Sequence, residues 1–125
     1  MKTTHIDILH LPTGKPLANT AHIADNYFSR LRGLIGRPPM TTGEAMWIIP
    51  CQQVHTHFMK VPLDIVFLDR GHTVLHIEHN MRPWKLSPWI RQARSVLELP
   101  PGSTEAVKVG DRLQFIHPQQ PVRRV

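Results

Sequence analysis

Prolines punctuate this chain from one end to the other. Twelve of its 125 residues are proline, spread between Pro12 and Pro121. Because proline lacks a backbone N–H and interrupts regular structure, this spacing favours many short elements joined by tight turns. The chain has no internal repeat, linker or low-complexity segment. We therefore expect one domain over residues 1–125, with a frayed tail at 118–125.

Between these breaks, apolar and polar residues tend to alternate, which is typical of strands with one buried face. The alternation is clear at 5–9 and at 72–80. A turn at 11–15 predicts that residues 16–24 pair back on 5–9, and a turn at 69–71 predicts that 72–80 pairs back on the preceding strand.

One segment has the period of a helix. Its apolar residues lie three and four apart, between a plausible N-cap at Asp25 and a stop at Gly36, and they are Phe28, Leu31, Leu34 and Ile35. The sequence therefore predicts an α+β fold. We expect a mainly antiparallel, strongly bent sheet or partly open β-barrel of about seven strands, with one main α-helix.

Composition narrows the class of protein. Hydrophobic residues make up 41% of the chain, enough for one core, and the single cysteine, Cys51, allows no intrachain disulfide. No signal peptide and no apolar run long enough to cross a membrane is visible, so we expect a cytoplasmic protein without a membrane partner. The net charge of +6 permits attraction to nucleic acid or to acidic ligands.

Soft and borderline metal donors are dense in the stretch 51–59, which contains Cys51, His55, His57 and Met59. If this stretch is extended, these side chains all lie on one face. Thiolate, imidazole and thioether together favour Cu(I), or Zn if Met59 is left out, so Cys51, His55 and Met59 are candidate metal ligands. The alternative is that cysteine and methionine fill the core.

Asp64 precedes the apolar run "IVFL" and must find partners, because an unpaired buried carboxylate is costly. In an enzyme, Asp64 would orient His55 and the two would act as an acid–base pair. In a purely structural role, Asp64 would cap a turn or form an ion pair. The sequence favours the structural role.

The segment 82–90 shows no hydrophobic periodicity, so we expect it to form a long loop. It contains Trp84 and Trp89 among basic residues, a combination that single-stranded nucleic acid binding uses. The loop could also form a lid or a surface for an acidic partner. Alternatively, both tryptophans fold back and seal the open end of the sheet.

Several motifs, in order, resemble those of domain of unknown function family 192, also called uncharacterised protein family 0127. They are "RLRGLIGRPPMTTGEAMW" (30–47), "CQQVHTHFMKVPLDIVFLD" (51–69) and "SVLELPPGSTEAVKVGDRL" (95–113). The resemblance covers roughly residues 5–117. It implies a small β-rich domain and no established activity.

These observations favour a small binding module over an enzyme. The predicted site comprises His55, Thr56, Met59 and Asp64, with Cys51 nearby and Trp84 and Trp89 at its rim. Its expected occupant is a soft metal or a small ligand. The alternatives are an enzyme that uses His55 and Asp64, and a basic tryptophan–arginine surface for an acidic partner or single-stranded nucleic acid.

Overall fold

The computed structural model describes residues 2–24 and 39–117, without the side chains of residues 2–4. In chain order its strands are β1 (Lys2–His10), β2 (Lys15–Ala24), β3 (Gly43–Ile48), β4 (Leu63–Leu68), β5 (Val74–Met81), β6 (Ser95–Leu99) and β7 (Leu113–Ile116). They form one seven-stranded sheet in the order β5-β4-β6-β3-β2-β1-β7. Within this part of the chain, no helix is long and apolar enough to cross a membrane.

Most neighbouring strands are antiparallel. β2 pairs back on β1 and β5 pairs back on β4, which confirms the two hairpins predicted from the turns at 11–15 and 69–71. The parallel pair is β2 with β3. Parallel neighbours need a longer crossover than a hairpin turn, and the chain between Ala24 and Gly43 supplies it.

The two edges of the sheet approach each other at one end. The residues before β5 bridge to the residues before β7, at Thr73 and Arg112. Val74 N–H donates to Asp111 O at 2.8 Å, and Leu113 N–H donates to His72 O at 3.0 Å. Because these bonds join the edge strands at one end, the sheet curls into a partly open barrel, as predicted.

The predicted α+β class is wrong for the described part of the chain, which contains seven strands and no helix. The main α-helix was predicted from the apolar spacing between Asp25 and Gly36. That segment lies outside the described residues. The architecture of residues 2–24 and 39–117 is an all-β curled sheet.

Both faces of the sheet centre are buried, and β4 shows this most clearly. Val66 and Leu68 belong to the first core, which gathers residues from most strands on one face. Ile65 and Phe67 point the other way, into a second core. All six residues of β4 are buried for this reason.

The second core is covered in part by two loops rather than by another strand. Its loop members are Cys51, Val54 and Met59 from one segment and Ala93 from the other. These loops therefore pack directly on the sheet face formed by Ile65 and Phe67. The residues predicted to form a site lie in this layer or next to it.

Candidate functional site

Residues 50–60 and 82–94 form two loops that run side by side, and we call them the paired loops. They are joined by a bridge between His55 and Leu86 and by a series of backbone bonds. Ser87 N–H donates to Val54 O at 2.9 Å, and Ile90 N–H donates to Gln52 O at 2.9 Å. The loop predicted at 82–90 is confirmed.

The stretch 51–59 is not a strand, so the face assignment that rested on an extended chain is wrong. Cys51 and Met59 are buried, whereas His55 and His57 are only half-buried. Phe58 has a φ of 67°, a left-handed conformation that breaks an extended chain at this residue. Residues of odd number therefore do not share one face.

Thr56 links the paired loops by hydrogen bonds and is completely buried. Its backbone N–H donates to Lys85 O at 2.8 Å, and its carbonyl accepts from Trp84 N–H at 2.9 Å. Its hydroxyl donates to Arg82 O at 2.6 Å and accepts from Lys85 N–H at 2.9 Å. Thr56, a predicted site residue, is thus a structural link rather than an exposed contact.

The three predicted metal ligands lie in two environments. Cys51 and Met59 belong to the second core, and the Cys51 thiol donates to Gln53 O at 3.3 Å. His55 accepts the backbone N–H of His57 at Nδ1, 3.2 Å away, and its ring lies edge-on to that of His57. Among residues 2–24 and 39–117 there is no group of three or more His, Cys, Asp or Glu side chains that could hold a metal ion.

Both loop tryptophans face solvent rather than sealing the sheet. Trp84 is 57% exposed and Trp89 is 62% exposed. The Trp84 ring packs against Phe58 with ring centroids 4.8 Å apart, and against His57 at 5.4 Å. We call His57, Phe58 and Trp84 the aromatic platform.

Two residues of this platform have strained backbones. Phe58 and Trp84 have φ angles of 67° and 64°, in the left-handed region that bulky residues avoid. Each costs roughly 1–3 kcal/mol, and such strain concentrates at functional sites. The paired loops therefore hold two exposed rings in place against their conformational preference.

The Lys and Arg residues of the paired loops are not balanced by acidic residues. They contain no aspartate or glutamate and five cationic residues, all exposed, which are Lys60, Arg82, Lys85, Arg91 and Arg94. Such a concentration of positive charge raises the local concentration of anions.

A pocket of about 440 Å³ opens between the paired loops. Residues 50–53 line one side, and Trp89, Ala93 and Arg94 line the other. The glutamine amides fix this geometry, since Gln52 Nε2 donates to Arg91 O at 2.5 Å and Gln53 Nε2 donates to Ser87 O at 2.9 Å. The pocket thus combines an indole, a guanidinium and a small apolar floor.

Asp64 makes its hydrogen bonds with residues outside the paired loops. Its Oδ1 accepts Asn80 N–H at 2.8 Å, and its Oδ2 accepts the N–H and hydroxyl of Thr104 at 3.0 and 2.7 Å. The histidine connected to Asp64 is His79, whose Nδ1 lies 2.9 Å from the Thr104 hydroxyl. Sequence reasoning missed His79 and Thr104. The β4–β5 pairing of Leu63 with Met81 is the signal that could have suggested His79.

Three other histidines have carboxylate partners that explain them structurally, and one of these pairs is His76 with Glu78. His10 Nε2 lies 2.7 Å from Asp111, and His22 Nε2 lies 2.8 Å from Glu44. The His10 hydrogen bond lowers the pKa of Asp111, and the His22 hydrogen bond lowers the pKa of Glu44. These pairs hold turns and strand ends together.

Comparison with known proteins identifies relatives over most of the chain. The model of family DUF192, described as an uncharacterized ACR, matches residues 9–115. UPF0127 protein PF1050 of Pyrococcus furiosus is 30% identical over 115 residues, covering 86% of this chain and 97% of the relative. UPF0127 protein PYRAB11210 of Pyrococcus abyssi is 33% identical over 102 residues, covering 75% of this chain and 84% of the relative.

Two solved structures share the fold. One, from Sinorhizobium meliloti, was described as a candidate transcription regulator; it has a TM-score of 0.76 at 23% identity, covering 91% of this chain and 94% of that one. The other, a protein of unknown function from Novosphingobium aromaticivorans, has a TM-score of 0.72 at 19% identity, covering 90% and 84%. The family match confirms the resemblance found in the motifs: this chain belongs to the DUF192 family, also called UPF0127, which has no established activity.

Proposed function

We propose that this chain is a small-ligand binding protein whose site is the pocket between the paired loops. The observation that carries the proposal is a pocket of about 440 Å³ beside an exposed tryptophan, in a pair of loops with five cations and no carboxylate. The proposed ligand is a small anion with a planar apolar group. A chain with one cysteine is compatible with this role in the cytoplasm.

The chemistry of the lining supports this ligand class. The Arg94 guanidinium can bind a carboxylate or phosphate through two parallel hydrogen bonds. The Trp89 indole offers a face on which a flat ring can stack, and Ala93 and Cys51 add apolar surface. The volume lies within the range of ordinary small-molecule sites, which is about 300–1,000 Å³.

Phenyl phosphate is a suitable probe because it joins an aromatic ring to a dianion. We expect saturable shifts of the Trp89 indole and Arg94 side-chain N–H resonances in a ¹H–¹⁵N NMR titration. Arg94→Gln should weaken binding about tenfold, since it removes a charge-assisted hydrogen bond of at least 1.4 kcal/mol or so. Arg91→Gln is the matched control, because Arg91 is also exposed but does not line the pocket.

An equal loss of affinity in Arg91→Gln and Arg94→Gln would contradict the pocket and indicate attraction by charge alone. A different pattern of resonance shifts would favour binding at the aromatic platform. If short single-stranded DNA shifts Trp84 and Phe58 with a steep salt dependence, while phenyl phosphate shifts nothing, the paired loops would bind nucleic acid instead. A response to an acidic peptide alone would indicate a protein partner.

A second candidate is binding of a soft metal by Cys51, His55 and Met59. It is favoured by the burial of both sulfur atoms in the same second core. His55 Nδ1 accepts an N–H and is therefore the unprotonated nitrogen of the neutral ring. An ion bound there would displace the His57 N–H, so Met59 and Cys51 would have to approach the same edge of the ring.

Titration of the reduced protein with Cu(I) against a competing chelator tests this candidate. We expect one equivalent to bind, with loss of the His57 amide resonance from its original position. Met59→Leu should abolish competition with the chelator because it removes a soft ligand. Met81→Leu, at another buried methionine of the second core, should leave binding unchanged. Equal behaviour of the two variants would refute a specific site.

A further inference from the structure

A chain of hydrogen bonds fixes the protonation pattern of His79. The Thr104 hydroxyl donates its single proton to Asp64 Oδ2, 2.7 Å away. The hydroxyl oxygen then accepts from His79 Nδ1 at 2.9 Å. The neutral ring therefore carries its proton on Nδ1, and Nε2 keeps a lone pair.

The elements that support this arrangement are rigid. Asp64 is 1% exposed and Thr104 is fully buried, so the first two members of the chain of bonds are part of the core. Asp64 also holds the backbone N–H groups of Asn80 and Thr104, which fixes the end of β5 relative to the turn at 101–106. His79 itself is exposed at the surface above them.

His79 borders a depression of about 330 Å³ whose lining is rich in acceptors. Because Nδ1 is bonded to buried Thr104 and His79 is exposed, Nε2 is the ring nitrogen available to a ligand. Asp64, Asn80, Gly102 and Glu105 also line the depression. No lysine or arginine lines it among the described residues, although the whole chain carries a net charge of +6.

This lining suits an organic cation better than a metal ion. Stable binding of Zn²⁺ needs three or more protein ligands, and the part of the chain described by the structure gathers no such group. A protonated amine needs acceptors around its N–H donors, and His79 Nε2 and Glu105 can supply two of them.

We propose that the depression formed by His79, Asn80 and Glu105 is a binding site for a protonated primary amine. The amine donates to His79 Nε2 and to the Glu105 carboxylate, while Thr104 and Asp64 act as positioning residues that fix the histidine tautomer. This site is separate from the pocket of the paired loops, so neither proposal depends on the other.

Methylammonium and tetramethylammonium chlorides test the proposal, because both are cations and only the first has N–H donors. Ring ¹⁵N resonances of the histidines are followed at about pH 8, above the ordinary imidazole range. Without ligand, His79 should show the Nδ1–H tautomer. Methylammonium should shift its Nε2 resonance saturably, and tetramethylammonium should not.

Variants separate recognition from folding. Glu105→Gln alters an exposed side chain and should weaken methylammonium binding about two- to fivefold, as expected for a solvent-exposed charge pair. Thr104→Val should release the tautomer, and Thr104→Ser should restore it together with binding. An Nε2–H tautomer in the native protein, equal shifts with both cations, or unchanged affinity in Glu105→Gln would overturn the proposal.

The source of the amine is resolved by two further probes. Glycinamide presents a chain terminus, and Nα-acetyl-lysine amide presents a side-chain ammonium on a long stem. Tighter binding of either one supports the site and identifies the source. Failure of both, together with failure of methylammonium, would overturn the amine site and leave the proposed pocket at Trp89 and Arg94 unaffected.

Discussion

Asp64→Ala is expected to lower the free energy of unfolding by about 3–5 kcal/mol. The substitution leaves two backbone N–H groups, of Asn80 and Thr104, and the Thr104 hydroxyl without their acceptor. Thr104 is fully buried, so water cannot replace the lost bonds there without opening the turn. Urea denaturation followed by circular dichroism measures the change.

Asp7→Ala is the matched control for this substitution. Asp7 is an exposed carboxylate on β1, and surface changes of this kind usually stay within about 0.5 kcal/mol. Amide hydrogen exchange locates the effect, since Asn80 and Thr104 should lose protection first. A loss below about 1 kcal/mol would show that the turn at 101–106 is held by its apolar contacts rather than by Asp64.

Asp64 also illustrates how far the sequence could predict the site. A carboxylate leading into an apolar run must be buried and bonded, and that much was predictable from "LDIVFL". Its partners come from residues 16 and 40 positions away along the chain, namely Asn80 and Thr104. Periodicity is a local signal, so it could not distinguish His55 from His79 as the histidine connected to Asp64.

The strands were predictable because their signals are local. Turn residues at 11–15 and 69–71 fixed two hairpins. The alternation at 72–80 did not fix the faces of β5, because a register shift between Phe67 and Leu68 puts Leu75 against the second core and Ile77 against the first. The same local signals failed in the stretch 51–59. It has the composition of a strand, but Thr56 bonds to the neighbouring loop and Phe58 adopts a left-handed conformation. Neither feature changes the spacing of hydrophobic residues in the sequence.

The Thr56 hydroxyl makes two of the hydrogen bonds that join the paired loops, and this makes Thr56→Val the other substitution with a large expected effect. Valine matches threonine in shape but leaves Lys85 N–H and Arg82 O without the hydroxyl that now bonds both. We expect a loss of about 2–4 kcal/mol, because each unsatisfied buried group costs about 1–3 kcal/mol. Thr56→Ser keeps the hydroxyl and should retain most of the stability.

Hydrogen exchange distinguishes a local from a global effect. If Thr56 mainly joins the loops, the amides of Trp84, Lys85 and Ser87 should exchange much faster in Thr56→Val, while those of β4 and β6 stay protected. Uniform loss of protection would mean that the loops and the sheet unfold as one unit. Unchanged protection would show that the backbone bonds alone hold the paired loops.

The same variant connects stability to binding. A loosened pair of loops no longer fixes Trp89 and Arg94 opposite residues 50–53, so phenyl phosphate should bind Thr56→Val more weakly than the native protein. A ligand that binds only the ordered loops must in turn stabilise them by mass action. Saturating phenyl phosphate should therefore restore protection at Trp84 and Lys85 in Thr56→Val. If protection stays low while the ligand is bound, the ordered loops are not the binding-competent state and the proposed pocket is wrong.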